Sequence, residues 1–180
     1  YKTVFRKKSR SLASAFARGV IETTGENIGW IDTNMSELTS KFTEMNKYLQ
    51  MDNDIVLLSR YVEGGGDNRV FLRSLCSKYF NILCKFILRT PVKDFTSSIF
   101  LMKRKVLNEV TFIGYGHGEF FFEFLYNAHQ KGFKIKEIPY VQKKDESTED
   151  SKSSPNLIKF FYLGFLYILR VFATLIRRKN

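Results

Sequence analysis

The sequence is poor in the residues that build metal clusters and disulfide frameworks, with two cysteines and two histidines among 180 residues. Cys76 and Cys84 stand eight apart inside an apolar run, which suits neither a zinc site nor a disulfide pair and fits core thiols in a reducing compartment. His117 and His129 are isolated and read as ordinary surface residues. No charged-then-apolar leader with a small-residue cleavage site follows Tyr1, so no secretory signal is expected. No internal repeat is visible. Acidic residues are also scarce, 18 against 29 Lys and Arg, leaving a net charge of +11. Such a charge asks for an anionic partner: nucleic acid, anionic lipid or a phosphorylated substrate. Nucleic acid is set aside, because there is neither zinc spacing nor an aromatic RNA-binding signature. Arg6, Lys7, Lys8 and Arg10 open the chain, Arg177, Arg178 and Lys179 close it, and the remaining cations are scattered.

What is abundant is apolar side chain, 44% of the chain, enough to bury one ordinary core. Its periodicity alternates between types. Leu12, Ala13, Phe16, Ala17, Val20 and Ile21 recur at helical spacing over Ser9 to Glu22, and Ile28 to Ile31 is a short buried run closing on Asp32. Ser36 then caps a helix reaching about Leu49. Asp54 to Ser59 predicts a second strand, followed by a loop holding Gly64, Gly65 and Gly66. Val70 to Leu88 is helical, with Arg73, Ser77 and Asn81 along one face. Thr96 to Lys103 predicts a strand, Gly118 to Lys131 a Phe-rich helix ending at Gly132, and Phe133 to Val141 another strand. This alternation argues for an α/β sheet. Gln142 to Pro155 is polar and Ser-rich, hence a mobile loop.

From Phe160 to Ile176 only Arg170 is charged. At about 1.5 Å per residue that stretch covers about 25 Å, short of the roughly 30 Å hydrocarbon core. At 100° per residue Lys159, Arg170 and Arg177 fall on one line, with Phe161, Phe165, Ile168, Phe172 and Leu175 opposite. The pattern is that of a helix lying in a membrane interface, although a helix packed on the protein's own core has the same periodicity.

Taken in order, six pieces resemble the polyprenol-phosphate hexose synthases, the dolichol-phosphate mannose synthase-like transferases of the family-2 type. They are Ile31-Asp32-Thr33-Asn34; Ser59-Arg60-Tyr61-Val62 with the glycine loop; Arg73-x-x-x-Ser77 with Asn81; Asp94-x-Thr96-Ser97; Glu123 with Ala128, Gly132 and Glu137-Ile138-Pro139; and Ser151-Lys152 before the C-terminal segment. The resemblance implies a GT-A-like, Rossmann-like mixed sheet with flanking helices, entered in mid-domain. Residues 1–141 would form a partial transferase domain, 142–155 a mobile loop and 156–180 a membrane-interface helix. The base-binding strands would come from a preceding segment or a partner subunit.

The implied reaction moves a hexose, mannose or glucose, from a nucleotide diphosphate-sugar to a polyprenyl or dolichyl phosphate, on the cytoplasmic face of a membrane. Asp32, with Asn34 in place of the pattern's second carboxylate, would hold Mg²⁺ or Mn²⁺ against the leaving diphosphate. Asp32 and Arg60 would be catalytic. Arg60, Arg73, Ser77, Lys143 and Lys152 would bind phosphate, guanidinium forks matching its oxygens best. Asp94, Thr96, Ser97 and Glu123 would lie on the acceptor side. The lipid phosphate is already anionic, so no Ser-His-Asp set is required. Three departures, Asn34, the Ser97-Ser98-Ile99-Phe100 run in place of Ser-Gly-Phe-Arg, and the Lys143-Lys144-Asp145 stretch in place of an arginine and a glycine, leave open a catalytically degenerate relative that binds a membrane or a partner.

Overall fold

The computed structural model describes residues 4, 11–97, 99–113, 118–144 and 157–177, with backbone alone at 34, 119, 157–161 and 163. The expectations placed on Arg6, Lys7, Lys8, Arg10, Ser98, His117, Ser151, Lys152, Arg178 and Lys179, on residues 145–156, and on the side chains of Asn34, Lys159 and Phe161 lie outside the described residues.

Helix α1 (Leu12–Ile21) begins where the Ser11 hydroxyl accepts from the Ser14 N–H, and it leads to β1 (Asn27–Trp30). A 3-10 helix (Thr33–Ser40) runs into α2 (Lys41–Gln50), followed by β2 (Ile55–Ser59), the short β3 (Gly66–Asp67) and the long α3 (Phe71–Leu88). Then come β4 (Phe100–Lys103), α4 (Val106–Glu109), α5 (Glu119–Gln130), β5 (Ile135–Pro139), β6 (Val141–Gln142) and α6 (Leu157–Arg177).

β2 is buried at every position and forms the centre of a four-stranded mixed sheet of order β1-β4-β2-β5. Trp30 lies opposite Phe100, which lies opposite Leu57 on antiparallel partners, and β5 runs parallel to β2 with Glu137 beside Leu57. Strand alternation sends Ile55, Leu57, Phe100 and Met102 to one face, against α1 and α5, and Val56, Leu58 and Leu101 to the other, against Met45 and Leu49 of α2. α5 buries an unbroken run from Phe120 to Tyr126, which includes the Glu123 carboxylate. Phe121 stacks on Phe100 of the sheet at 4.4 Å, while Phe122 meets Phe80 of α3 and Tyr167 of α6.

Because β1, β2 and β5 point the same way and β4 opposes them, one sheet edge collects Asp32 after β1, Arg60 after β2, Tyr140 after β5 and the Asp94–Ser97 stretch before β4. The carboxyl ends of parallel strands are where open α/β sheets bind ligands.

Three expected boundaries move. The helix capped at Ser36 is instead the 3-10 helix, which follows Asp32 and has a non-helical Met35 (φ −122°), and α2 begins five residues after Ser36. Thr96, Ser97 and Ile99 are not strand, and the Thr96 and Ser97 side chains engage Asp94 and the Leu58 carbonyl where strand pairing was expected. Phe133 to Val141 divides at Tyr140, whose N–H donates to the Ser59 carbonyl. Gln142, expected as the first loop residue, is buried in β6, which pairs with β3 in a second sheet.

The larger correction concerns α6. Its expected basic stripe turns inward at Arg170 and Arg177, which donate to the buried carboxylate of Glu123 on α5 at 2.7 and 3.0 Å. Val171 and Thr174 are buried, roughly a quarter turn from that stripe, so the helix packs on the flank between its basic and aromatic lines. Tyr162, Phe165, Leu166, Leu169, Phe172 and Ile176 stay exposed. Among the described residues no helix is long and apolar enough to cross a membrane.

Candidate active site

The turn after β2 is built around Arg60, whose side chain is 2% exposed. Asp94, fully buried, takes the Arg60 fork with both oxygens, from Nε at 2.8 Å and Nη2 at 2.7 Å, and also accepts the Arg60 backbone N–H at 3.0 Å. Burial works against the guanidinium charge, yet the hydrogen bonds and charge of Asp94 raise its pKa above the ordinary arginine value. The Thr96 hydroxyl donates to Asp94 and accepts from Arg60 Nη2 at 2.6 Å and Asn81 Nδ2 at 2.9 Å, so its bonding capacity is full. Asn81 Oδ1 accepts the Phe95 N–H at 2.6 Å, tying the middle of α3 to the same turn. Beneath it, Glu137 of β5 accepts the Lys93 and Asp94 N–H groups at 2.8 and 2.9 Å. Burial raises the Glu137 pKa, against the lowering by those N–H groups and the Ser59 hydroxyl.

The glycine loop brings Asp67 onto the same cluster. A Cβ at Gly65 would sit 2.7 Å from the Ser59 and Arg60 carbonyl oxygens, and Gly64 has φ +82°, so neither position suits another residue. Pairing of β3 with β6 then sets Asp67 3.5 Å from Arg60 Nη1 and 3.4 Å from the Tyr61 hydroxyl. Arg69 closes on Asp67 with Nε at 2.8 Å and Nη2 at 2.6 Å. Burial raises the Asp67 carboxyl, but Arg69 and then Arg60 outweigh it and hold the pKa at about 2. Tyr61 donates to Ser77 at 3.0 Å; burial raises its phenol pKa, as it does that of Tyr140.

Beside this cluster a cavity of about 620 Å³ opens between α3 and α6, within the usual size of a ligand site. Arg69, Arg73, Ser77 and Thr96 line it near the start of α3, and Cys76, Tyr79, Phe80, Leu83, Phe165 and Ile168 line it beyond. It is an apolar groove with a cationic, hydroxyl-bearing end. Gly164 lines it too, with nothing within 4 Å of where its Cβ would be.

The expected site residues therefore divide. Arg60, Asp94, Thr96 and Ser77 converge, and Ser97 joins them through its bond to the Leu58 carbonyl, whereas Arg73 lines the groove. The Arg60 fork, expected to grip phosphate, is filled by Asp94. Glu123, expected on the acceptor side, belongs instead to the α5–α6 junction. Lys143 is exposed and pairs with Glu37 at 3.4 Å. Asp32 follows β1 at the shared edge and accepts the Trp30 indole N–H at 3.3 Å, and the backbone of Asn34 lies in the 3-10 helix. Among the described residues no three His, Cys, Asp or Glu side chains converge as a metal site. One carboxylate nevertheless fits an ion that takes its remaining oxygens from a diphosphate and water. Cys76 lines the groove, while Cys84 is a buried thiol pushed up to about 12. Sequence reasoning missed Asp67 and Arg69, although Asp-x-Arg in an extended segment after a glycine turn places both on one side of the chain.

Comparison with known proteins agrees with this architecture. The model of glycosyl transferase family 2 matches residues 1–111. A dolichol-phosphate mannosyltransferase of Pyrococcus furiosus is 27% identical across 93% of this chain and 47% of its own length. Glucosyl-3-phosphoglycerate synthase from Mycobacterium tuberculosis, solved with UDP and with Mn²⁺, UDP and glucosyl-3-phosphoglycerate, superposes with TM-scores of 0.66 and 0.67 at 11% identity, over 94% of this chain and 56% of that one. The chain thus spans about half the length of these relatives. A mixed sheet whose carboxyl edge carries the ordered motifs, matched by the family model over more than half of the chain, makes this chain a GT-A-fold member of glycosyl transferase family 2.

Proposed function

We propose that the protein containing this chain transfers a hexose from a nucleotide diphosphate-sugar to a polyprenyl phosphate at the cytoplasmic face of a membrane. The observation that carries the reading is the α3–α6 groove, whose apolar walls suit an isoprenoid chain and whose Arg69, Arg73 and Ser77 end suits its phosphate. In the reaction an acceptor phosphate oxygen bonds to the anomeric carbon as the bond from that carbon to the donor diphosphate breaks, and the nucleotide diphosphate leaves. Lipid phosphate is mostly dianionic above its second pKa near 6, so positioning matters more than a base. A divalent cation bound with the donor would neutralise charge on the leaving diphosphate, and Asp32 is the carboxylate placed to hold it. The buried Arg60–Asp94 pair keeps the acceptor-side turn rigid. Exposed apolar residues on α3, including Phe71, Tyr79, Ile82 and Phe86, and on α6, including Phe165 and Phe172, support a seat on the bilayer.

The test uses the full-length protein with GDP-mannose or UDP-glucose as donor. Dolichyl phosphate, dolichol and 3-phosphoglycerate serve as separate acceptors. Sugar is expected on dolichyl phosphate alone, and Gly164→Trp, which places a large side chain at the groove wall, should cut that transfer at least tenfold. Transfer to 3-phosphoglycerate and none to lipid phosphate would overturn the reading.

A further inference from the structure

We infer that Arg69 is a phosphate-binding residue of the groove and that Asp67 is its positioning residue, an assignment that rests on reading the groove as the acceptor site. A guanidinium carries five N–H groups in a planar fork. Asp67 occupies one edge, through Nε at 2.8 Å and Nη2 at 2.6 Å, and leaves the Nη1/Nη2 edge of a groove-lining residue without a partner among the described residues. Asp67 is itself held from other sides. The β3–β6 pairing fixes its backbone, and Arg60 Nη1 stands at 3.5 Å. Its side chain is 5% exposed. Arg69 is thereby aimed rather than merely neutralised.

Charge arithmetic sharpens the assignment. Arg60 pairs with Asp94 and Arg69 with Asp67, so Arg69 contributes directed donors rather than net charge. Lysine, which keeps the charge and loses the fork, should not replace it. The ligand class is a phosphate monoester carried on an apolar chain.

Equilibrium binding of farnesyl phosphate, farnesol and inorganic phosphate to the full-length protein tests this. Wild type should bind farnesyl phosphate at least tenfold more tightly than either control. Arg69→Ala and Arg69→Lys should each lose about tenfold for farnesyl phosphate and leave farnesol unchanged, farnesol serving also as the check that the groove is folded. Asp67→Asn should lose a similar factor in the wild-type background and nothing further beside Arg69→Ala. If wild type failed to distinguish farnesyl phosphate from farnesol, the groove reading itself would be wrong. If it distinguished them and Arg69→Ala did so equally well, the assignment of Arg69 would fall while the groove reading stood. Tight inorganic phosphate binding, equal to that of farnesyl phosphate, would mark a free-phosphate site and overturn both. A loss in Asp67→Asn that adds fully to that of Arg69→Ala would remove the positioning role.

Discussion

Replacing Asp94 by alanine should destabilise the fold severely, and the magnitude follows from what Asp94 holds. Its carboxylate accepts the Arg60 N–H, Nε and Nη2 and the Thr96 N–H and hydroxyl, from a position with no solvent exposure. Its removal leaves a guanidinium that is 2% exposed with Asp67, at 3.5 Å, as its remaining anion among the described residues. Breaking one partner out of a buried pair typically costs about 3–5 kcal/mol. Asp67 compensates part of this, which places the expected loss near 3 kcal/mol. Domains of this size lose about 2–4 °C per kcal/mol, so the midpoint should fall by about 6–12 °C. Urea unfolding followed by the fluorescence of Trp30, the single tryptophan, together with a thermal melt, measures it. The double change Arg60→Met with Asp94→Leu removes both charges and should recover most of the stability, because an apolar pair of similar volume has no ion to desolvate. A loss below 1 kcal/mol for Asp94→Ala, or a double variant no better than the single, would refute the account of Arg60 as a buried structural cation.

Four further outcomes are expected. The Asp67 carboxyl titrates in the fold at about 2, below its usual 3.8, so its stabilising contribution is complete above about pH 4 and disappears as the pH falls toward 2; Asp67→Asn should flatten the acid-unfolding curve in that window, and an unchanged curve would contradict the pairing. Glu123→Gln removes the anion shared by Arg170 and Arg177 and should speed hydrogen exchange across α6 at least tenfold while sparing β2, whereas equal exchange would mean that packing alone holds the helix. Asp32→Ala in the full-length protein should abolish the Mn²⁺ dependence of nucleotide diphosphate binding, and retained dependence would place the cation elsewhere. Phe86→Glu with Phe172→Glu, at exposed positions on α3 and α6, should weaken sedimentation with anionic vesicles at high salt, where the electrostatic part is screened; unchanged sedimentation would exclude these faces as the bilayer seat.

Much of the framework was legible because it rests on local patterns. The fully apolar run of β2, the Phe-rich period of α5 and the glycine that ends it at φ +82° require little beyond their own neighbours. What the pattern could not convey was how side chains compete with the backbone. Thr96 and Ser97 look like strand residues until Asp94 and the Leu58 carbonyl claim their hydroxyls. The 3-10 helix after Asp32 likewise replaces a regular first turn, since the Asp32 side chain makes no capping bond and is turned to the Trp30 indole.

The two chief corrections, at Arg60 and at α6, share a cause. A motif says that an arginine belongs in this neighbourhood, but whether it meets substrate or a carboxylate depends on Asp94, which lies 34 residues away. A helical period likewise sorts α6 into a basic line and an aromatic line without saying which of them meets the protein. The deciding residue is Glu123, 47 residues before Arg170, whose buried carboxylate needs cations and so draws the basic line inward. Desolvating Glu123 alone would be costly; pairing it with two arginines offsets that cost and rotates the aromatic line outward. The exposed apolar face of α6 thus follows from a buried charge on its neighbour, and the groove wall formed by Phe165 and Ile168 exists because that rotation sets them beside α3.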